Sequence, residues 1–316
     1  MRVSARAHPN IALVKYWGKR DSERNLPAVG SISITLGDLW TDMTIDTDAD
    51  GNELTVNGKS AEDMLPRVSA GLDKIFGPGR SPVSVTSESN FPIAAGLASS
   101  ASAFASLVVS AFAASEQDVD RDEMANVAGS FSGSAARSLY DGFVELENDD
   151  DRVVVRSIRD ADSWPLSVVI AITSSARKSV GSGEAMETSR RTSPFYVRWV
   201  EEQDEDLARA RKAILERDFP TLADVAEHNC LKMHSVMWTS RPPMVYWNPA
   251  TIECMHVVRS LRADGASVFF TIDAGPQVKA VCLPEDVDRV REALGGVEGV
   301  ESIMTSGLGA GAHLIE

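Results

Sequence analysis

Apolar and polar positions change period several times along the 316-residue chain, and the changes mark its elements. Ser31–Leu36 (SISITL) alternates, and Asp42–Thr47 (DMTIDT) alternates again after a break at Gly37–Asp38. A period of two predicts paired, half-buried strands. Asp50-Gly51 and Asn57-Gly58 are hairpin-type turn signals around a short strand at Leu54–Val56. Over Ala61–Phe76 the spacing becomes helical, with Leu65, Val68, Leu72 and Ile75 on one stripe. Pro82–Ser87 reads as a strand, Leu97–Ala114 as a long helix with an Ala- and Ser-rich start, and Asp120–Gly129 as a second helix. Gly142–Glu147 and Arg152–Ile158 read as strands around the acidic turn Asn148–Asp151, and Leu166–Ile172 as a continuous apolar strand buried on both faces. Thr173–Thr192 is rich in Ser, Arg and Gly and has no period, which predicts a loop and a domain junction. Helices are then predicted over Pro194–Arg217, Phe219–Met237 and Ala250–Asp264, a strand over Val268–Asp273, a helix from Gly275 through Ala280 onward, and another over Pro284–Leu294. Hairpins are frequent and helices do not alternate regularly with strands, so the class is α+β, with two domains at 1–180 and 181–316.

Composition narrows the function classes. The net charge of -15 argues against general affinity for nucleic acid or anionic membrane, so any bound anion must be held locally by a few cations and backbone N–H groups. Cys230, Cys254 and Cys282 are odd in number and widely spaced, with neither a disulfide framework nor zinc spacing, which points to a reducing compartment. The histidines His8, His228, His234, His256 and His313 form no HExxH pair and read as structural. The charged N-terminus is unlike a signal peptide, and no run approaches the ~20 apolar residues of a membrane span. A soluble, cytoplasmic protein is expected.

Four segments carry candidate chemistry. In PIAAGLASSASAFASL (Pro92–Leu107) a Gly at a loop-to-helix junction, followed by small hydroxyl residues, lets backbone N–H groups face an anion. There is no Gly-Lys-Ser/Thr, so it is not a Walker loop; a closely packed Ala/Ser helix is the competing reading. In FSGSAARSLYDGFVEL (Phe131–Leu146) a small polar turn, Ser132-Gly133-Ser134, precedes Arg137, whose fork could grip a carboxylate or phosphate or simply pair with a surface acid. In VFFTIDAGPQVKAV (Val268–Val281) Asp273 ends an apolar strand, either as the cap of a following helix or as a group projecting into a cleft. In HPNIALVKYWGKRD (His8–Asp21) a strand through Ile11, Leu13 and Val14 releases Lys15, Tyr16, Trp17 and Lys19 as a basic-aromatic cluster, suited to a phosphate or to a protein or membrane contact.

Together and in this order the segments resemble the GHMP small-molecule kinases, and within them the diphosphomevalonate decarboxylase family. The matching motifs are NIALVKYWGKRD (Asn10–Asp21), GLASSAS (Gly96–Ser102), SGSAARSLYDGFVE (Ser132–Glu145) and FTIDAGPQVK (Phe270–Lys279), with Gln277 where the family has Asn. Weaker similarity continues through LKMHS (Leu231–Ser235) to Gly311, so the likeness covers nearly the whole chain. It implies a GHMP-kinase-like fold, with an N-terminal domain like ribosomal protein S5 domain 2 and a ferredoxin-like C-terminal domain. It implies ATP- and Mg2+-dependent decarboxylation of mevalonate 5-diphosphate to isopentenyl diphosphate, by a homodimer. Asp273 would bind the 3-hydroxyl and accept its proton, and Arg137 would grip the C1 carboxylate. Asn10, Tyr16, Trp17, Lys19, Ser132 and Ser134 would line the rest of the substrate site. Gly96, Leu97, Ala98, Ser99, Ser100 and Ala101, with Lys178 and Ser182, would hold ATP, and no dedicated metal cage is implied.

The chain departs from the family at Val29 and Gly30, where Asn and Ser are usual, and at Gly183, near which some bacterial members carry an Arg for the diphosphate. A decarboxylase of 5-phosphomevalonate, or of a bisphosphorylated form without ATP as phosphoryl donor, a mevalonate 3-kinase and a catalytically silent nucleotide-binding protein are the alternatives. KYWGK argues for the diphosphate, and Arg137 with Asp273 argues against a pure kinase.

Overall fold

A computed structural model describes residues 1–92, 97–176 and 180–316. The first part runs β1 (Arg2–Ala7), β2 (Asn10–Val14), β3 (Lys19–Asp21), β4 (Leu26–Pro27), β5 (Ser31–Thr35), β6 (Thr41–Asp46), β7 (Glu53–Val56) and β8 (Lys59–Ser60). Helix α1 (Leu65–Phe76), strand β9 (Ser84–Ser89), helices α2 (Ser99–Ala114), α3 (Arg121–Phe131) and α4 (Gly133–Arg137), and strands β10 (Phe143–Leu146) and β11 (Val155–Arg159) follow. The second part is β12 (Ser167–Ile172), α5 (Ser182–Thr192), α6 (Tyr196–Glu201), α7 (Gln203–Glu216), α8 (Phe219–Trp238), α9 (Pro249–Ala263), β13 (Val268–Thr271), β14 (Val278–Cys282), α10 (Val287–Gly295), β15 (Ser302–Gly307) and β16 (His313–Ile315).

Among the described residues, three larger sheets organise these elements, ordered β16-β1-β6-β9-β7-β8, β11-β10-β5-β2 and β13-β14-β12-β15, and β3 pairs with β4 in a two-stranded sheet. The first is covered by α1–α4: Ala5, Met43, Ile45 and Val85 bury against Leu72, Leu107 and Val108. The second packs through Leu13, Ile32 and Ile34 onto α7, α8 and the third sheet, whose Val168, Ile170, Phe269 and Val281 share that core. The opposite face of the third sheet is closed by α9 and α10. The α+β class holds, and no helix among the described residues is long and apolar enough to cross a membrane.

Several departures from the sequence expectations have physical causes. The two alternating segments do not pair: β5 lies between β2 and β10, and β6 between β1 and β9. Strand β6 is half-buried, but β5 is buried at all five positions, so its serines face protein rather than water. Strand β12, expected in the first domain, is bonded to β14 and β15, while β16 crosses back to pair with β1. The segment read as a loop through Thr192 contains α5, whose inward face is only Ala185, Met186 and Ser189, too little apolar surface to give a period. The helix expected from Gly275 through Ala280 is instead β14, buried at all five positions; covered on both faces, it loses the alternation that marks a strand. Asp273 therefore caps no helix.

Candidate active site

The second and third sheets bring β2 and β13 to the same place. β2 is an edge strand of its sheet and carries an irregularity between Ala12 and Val14, beside the Ala12 carbonyl oxygen. That oxygen accepts from Lys15 Nζ at 2.9 Å and from Thr271 Oγ1 at 3.2 Å, joining the two strands. Just past the end of β13, Asp273 Oδ1 lies 2.6 Å from Lys15 Nζ, and Asp273 Oδ2 lies 3.3 Å from Lys279 Nζ on β14. Both lysine side chains are 1 % exposed, while the carboxylate keeps 25 % and so presents the open end of the cluster. Burial alone would push the Asp273 carboxyl up, but Lys15 and Lys279 outweigh it and hold it well below the usual carboxylate range. Lys279 is pushed down by the same burial, which Asp273 opposes.

Arg137, at the end of α4, is fully enclosed. Its Nε donates to Ser33 Oγ at 3.0 Å, Nη1 to Ser31 Oγ at 2.6 Å and Nη2 to Asn10 Oδ1 at 3.1 Å. Asn10 is itself fixed, donating from Nδ2 to the Ser134 carbonyl and to Ser138 Oγ. A guanidinium has five N–H groups, so three used in this cage leave two, the number a bound carboxylate takes in a fork. Burial lowers the Arg137 pKa to about 10, opposed by the negative charge of Asp273. The guanidinium stays charged at neutral pH.

A second polar end adjoins it. Tyr16 Oη is buried without a hydrogen-bond partner among the described residues, and burial pushes its phenol up to about 12. The ring lies over Gly133, where a Cβ would come within 2.7 Å of Tyr16 Cζ, so the SGS turn needs its glycine for this approach. Ser132 Oγ and Ser134 Oγ sit 3.0 Å apart beside it. Lys19, on β3, is half-buried, and its pKa is lowered by burial and then by Arg67; its Nζ lies close to Gly183. Trp17 stands apart from the others: its ring is buried in an apolar cluster with Val29, Tyr196, Trp199 and Met233.

The helix α2 begins at Ser99 behind Ala98, whose φ of 54° is left-handed, an uncommon conformation for a residue with a side chain. Its first turn holds no acidic side chain to oppose the helix dipole, Ser100 is exposed, and Leu97 and Ala101 are buried. Ser182 opens α5. Gly96 and Lys178 lie outside the described residues. Among the described residues there is no group of three or more His, Cys, Asp or Glu that could hold a metal ion.

Sequence reasoning had not assigned Lys15, Lys279, Ser31, Ser33 or Arg67 to the site. Lys15 stood in the basic cluster, but nothing local shows that it turns inward. The serines of SISIT carried a usable signal, since a buried strand with hydroxyls on one face needs a polar partner.

Residues 7–159 match the diphosphomevalonate decarboxylase-like N-terminal domain, and residues 168–306 match the mevalonate 5-diphosphate decarboxylase C-terminal domain. The diphosphomevalonate decarboxylase of Candida albicans is 35% identical over 299 residues, 87% of this chain and 82% of that one. The phosphomevalonate decarboxylase of Haloferax volcanii is 31% identical, covering 100% of this chain and 98% of its own. The mevalonate diphosphate decarboxylase of Staphylococcus aureus superposes with a TM-score of 0.93 at 32% identity, covering 100% of this chain and 98% of that chain. A structure described as MDDEF in complex with MVAPP, AMPPCP and magnesium superposes with a TM-score of 0.92 at 31% identity, covering 100% and 99% of the two chains. With both halves of its sequence matched and its whole fold superposing, the chain belongs to the diphosphomevalonate decarboxylase family.

Proposed function

We propose that the protein converts mevalonate 5-diphosphate, with Mg2+ and ATP, to isopentenyl diphosphate, ADP, phosphate and carbon dioxide, within the mevalonate pathway. One observation carries the assignment of the site: in a chain of net charge -15, Lys15 and Lys279 are buried against the carboxylate of Asp273, and the buried Arg137 feels its charge. Such a surplus of buried cations is stable when an anionic ligand completes it.

The two N–H groups that Arg137 keeps free grip the substrate's C1 carboxylate. Asp273 accepts the hydrogen bond of the tertiary 3-hydroxyl and points its oxygen toward the transferred phosphoryl group. A carboxylate held this low is too weak to deprotonate an alcohol in advance. In a loose phosphoryl-transfer transition state the proton moves late, so negative charge and orientation suffice. ATP with Mg2+ supplies the phosphoryl group that turns the hydroxyl into a leaving group. The C3–O bond then breaks to release phosphate, the electrons of the C1–C2 bond form the C2=C3 double bond, and C1 departs as carbon dioxide. Lys15 and Lys279 keep Asp273 ionised throughout, and Arg137 holds the carboxylate in line with the bond that breaks.

Tyr16, Lys19, Ser132 and Ser134 hold the phosphate end, joined by Arg67, and the unpartnered phenol of Tyr16 donates there. The backbone from Gly96 to Ala101, with Ser99 and Ser100, cradles the nucleotide phosphates together with Lys178 and Ser182. Trp17 shapes the site from behind. The reading includes a cytoplasmic location and a homodimer, for which light scattering of the purified protein is the direct check.

A second reading, decarboxylation of 5-phosphomevalonate, draws on the full-length match to the Haloferax volcanii enzyme and on Gly183. Incubation with Mg-ATP and each mevalonate phosphate, following carbon dioxide release, separates the two. The diphosphate should give the higher kcat/KM; equal or reversed values move the protein to the monophosphate activity, and ADP without carbon dioxide makes it a kinase.

A further inference from the structure

The Lys15–Asp273 contact joins residues 258 positions apart, and each lies just beyond the end of a strand, where ladder hydrogen bonds stop. Side chains of α7 and α8 take over the missing bonds. Lys15 N–H donates to Asn229 Oδ1 at 2.7 Å, and its carbonyl accepts from Gln203 Nε2 at 2.7 Å. Asn229 Nδ2 is locked in turn by Gln203 Oε1 at 2.9 Å and Asp206 Oδ2 at 2.7 Å, and Lys232 neutralises Asp206 at 2.7 Å. The residue before Asp273 is held in the same manner. Ile272 N–H donates to Cys230 Sγ at 3.2 Å, the thiol lies 3.4 Å from the Ile272 carbonyl, and His234 Nε2 lies 3.2 Å from that oxygen. Burial lowers the His234 pKa to about 3, so the ring is neutral, and its Nε2 sits between the Ile272 carbonyl and the Trp247 indole N–H, 3.3 Å away. Gln203, Asn229, Cys230 and His234 are all 0 % exposed.

Cys230 and His234 are one helical turn apart and share a stripe of α8, and Asn229 is the neighbouring position. We infer that α8 is the positioning element of the active site, with Asn229 setting the backbone of Lys15 while Cys230 and His234 set the backbone that carries Asp273. One rigid helix thereby registers two chain segments from opposite ends of the sequence. The inference rests on the reading of Asp273 as the group that orients the 3-hydroxyl. It gives work to a buried thiol and a buried imidazole that the chemistry itself does not use.

The test is a Cys230 series. Cys230→Ala removes both contacts to Ile272 and little volume; Cys230→Ser keeps a donor and an acceptor. A misplacement of about 1 Å costs about 100-fold, so Cys230→Ala should lower kcat about 10- to 100-fold, with KM for both substrates within about threefold. Cys230→Ser should recover most of the loss. His234→Gln, which retains an N–H at similar reach, should fall between them and serves if Cys230→Ala does not fold. The decisive arm repeats Cys230→Ala in an Asp273→Asn background, where no carboxylate remains to be placed, so the second change should cost less than about twofold. A kcat for Cys230→Ala within twofold of the parent, no recovery with Ser, or a full further loss in the double variant overturns the inference. Near-normal turnover by Asp273→Asn alone would instead remove the reading on which it rests.

Discussion

Replacing Arg137 by Lys keeps the charge and most of the stem but removes the fork. In the parent, three N–H groups satisfy Ser33, Ser31 and Asn10, leaving two for substrate. An ammonium has three N–H groups in all, so it cannot fill the cage and grip a carboxylate bidentately. One charge-assisted hydrogen bond to the substrate is lost at least, worth about 1.5–3 kcal/mol, or roughly 10- to 150-fold in kcat/KM. The cage is left short as well, and a buried polar group without its partner costs about 1–3 kcal/mol. Thermal unfolding should therefore drop along with activity. Arg137→Ala, which removes the charge too, should fall further and weaken binding of mevalonate 5-diphosphate. Initial rates of carbon dioxide release over a range of substrate, with calorimetry on the same samples, give both numbers. Activity of Arg137→Lys within about threefold of the parent would refute the two-N–H fork.

Tyr16→Phe should raise KM for mevalonate 5-diphosphate severalfold with little change in thermal stability, because its hydroxyl has no protein partner among the described residues. Gly133→Ala should do more harm than its size suggests, lowering both stability and substrate affinity, because the new methyl meets the Tyr16 ring at 2.7 Å; differential scanning and a substrate titration check it. The pH dependence of stability should carry the mark of His234. Its folded pKa is about 3 against about 6.5 unfolded, so the unfolded chain binds the extra proton and stability is lost as pH falls from 6.5. His8 is lowered also and adds in the same sense. His234→Gln should thus show a shallower decline of melting temperature between pH 6.5 and 4 than the parent, and an unchanged slope would contradict the neutral buried imidazole.

Where one face meets water, periodicity exposed the elements: α1 buries Val68, Leu72 and Ile75 of the predicted stripe, and β6 alternates as expected. It misled where both faces are covered, as at β14, which reads as an apolar run that a helix could equally supply. It also missed α5, where the buried face is made of Ala, Met and Ser. The candidate site residues were legible where a short segment concentrates chemistry, and the structure sets Asn10 against both Arg137 and the SGS turn. What could not be read was the direction of a side chain from a shared segment. Lys15 and Trp17 turn into the protein, one toward Asp273 and the other into an apolar cluster. Nor could Ser31 and Ser33 be given to Arg137, because that pairing depends on a sheet that sets β5 between β2 and β10. Strand order, which no local pattern encodes, decided these cases.

The central claim is that Asp273, held ionised by Lys15 and Lys279, orients the 3-hydroxyl for phosphoryl transfer. Asp273→Asn tests it most directly, since the amide keeps the shape and one acceptor while removing the charge. In single-turnover reactions with Mg-ATP and mevalonate 5-diphosphate, carbon dioxide and ADP should both fall by about 1,000-fold or more. Binding of the substrate and of a non-hydrolysable ATP analogue should stay within severalfold of the parent, because the interaction is made in the transition state. Turnover by Asp273→Asn within tenfold of the parent, with binding intact, would contradict the account.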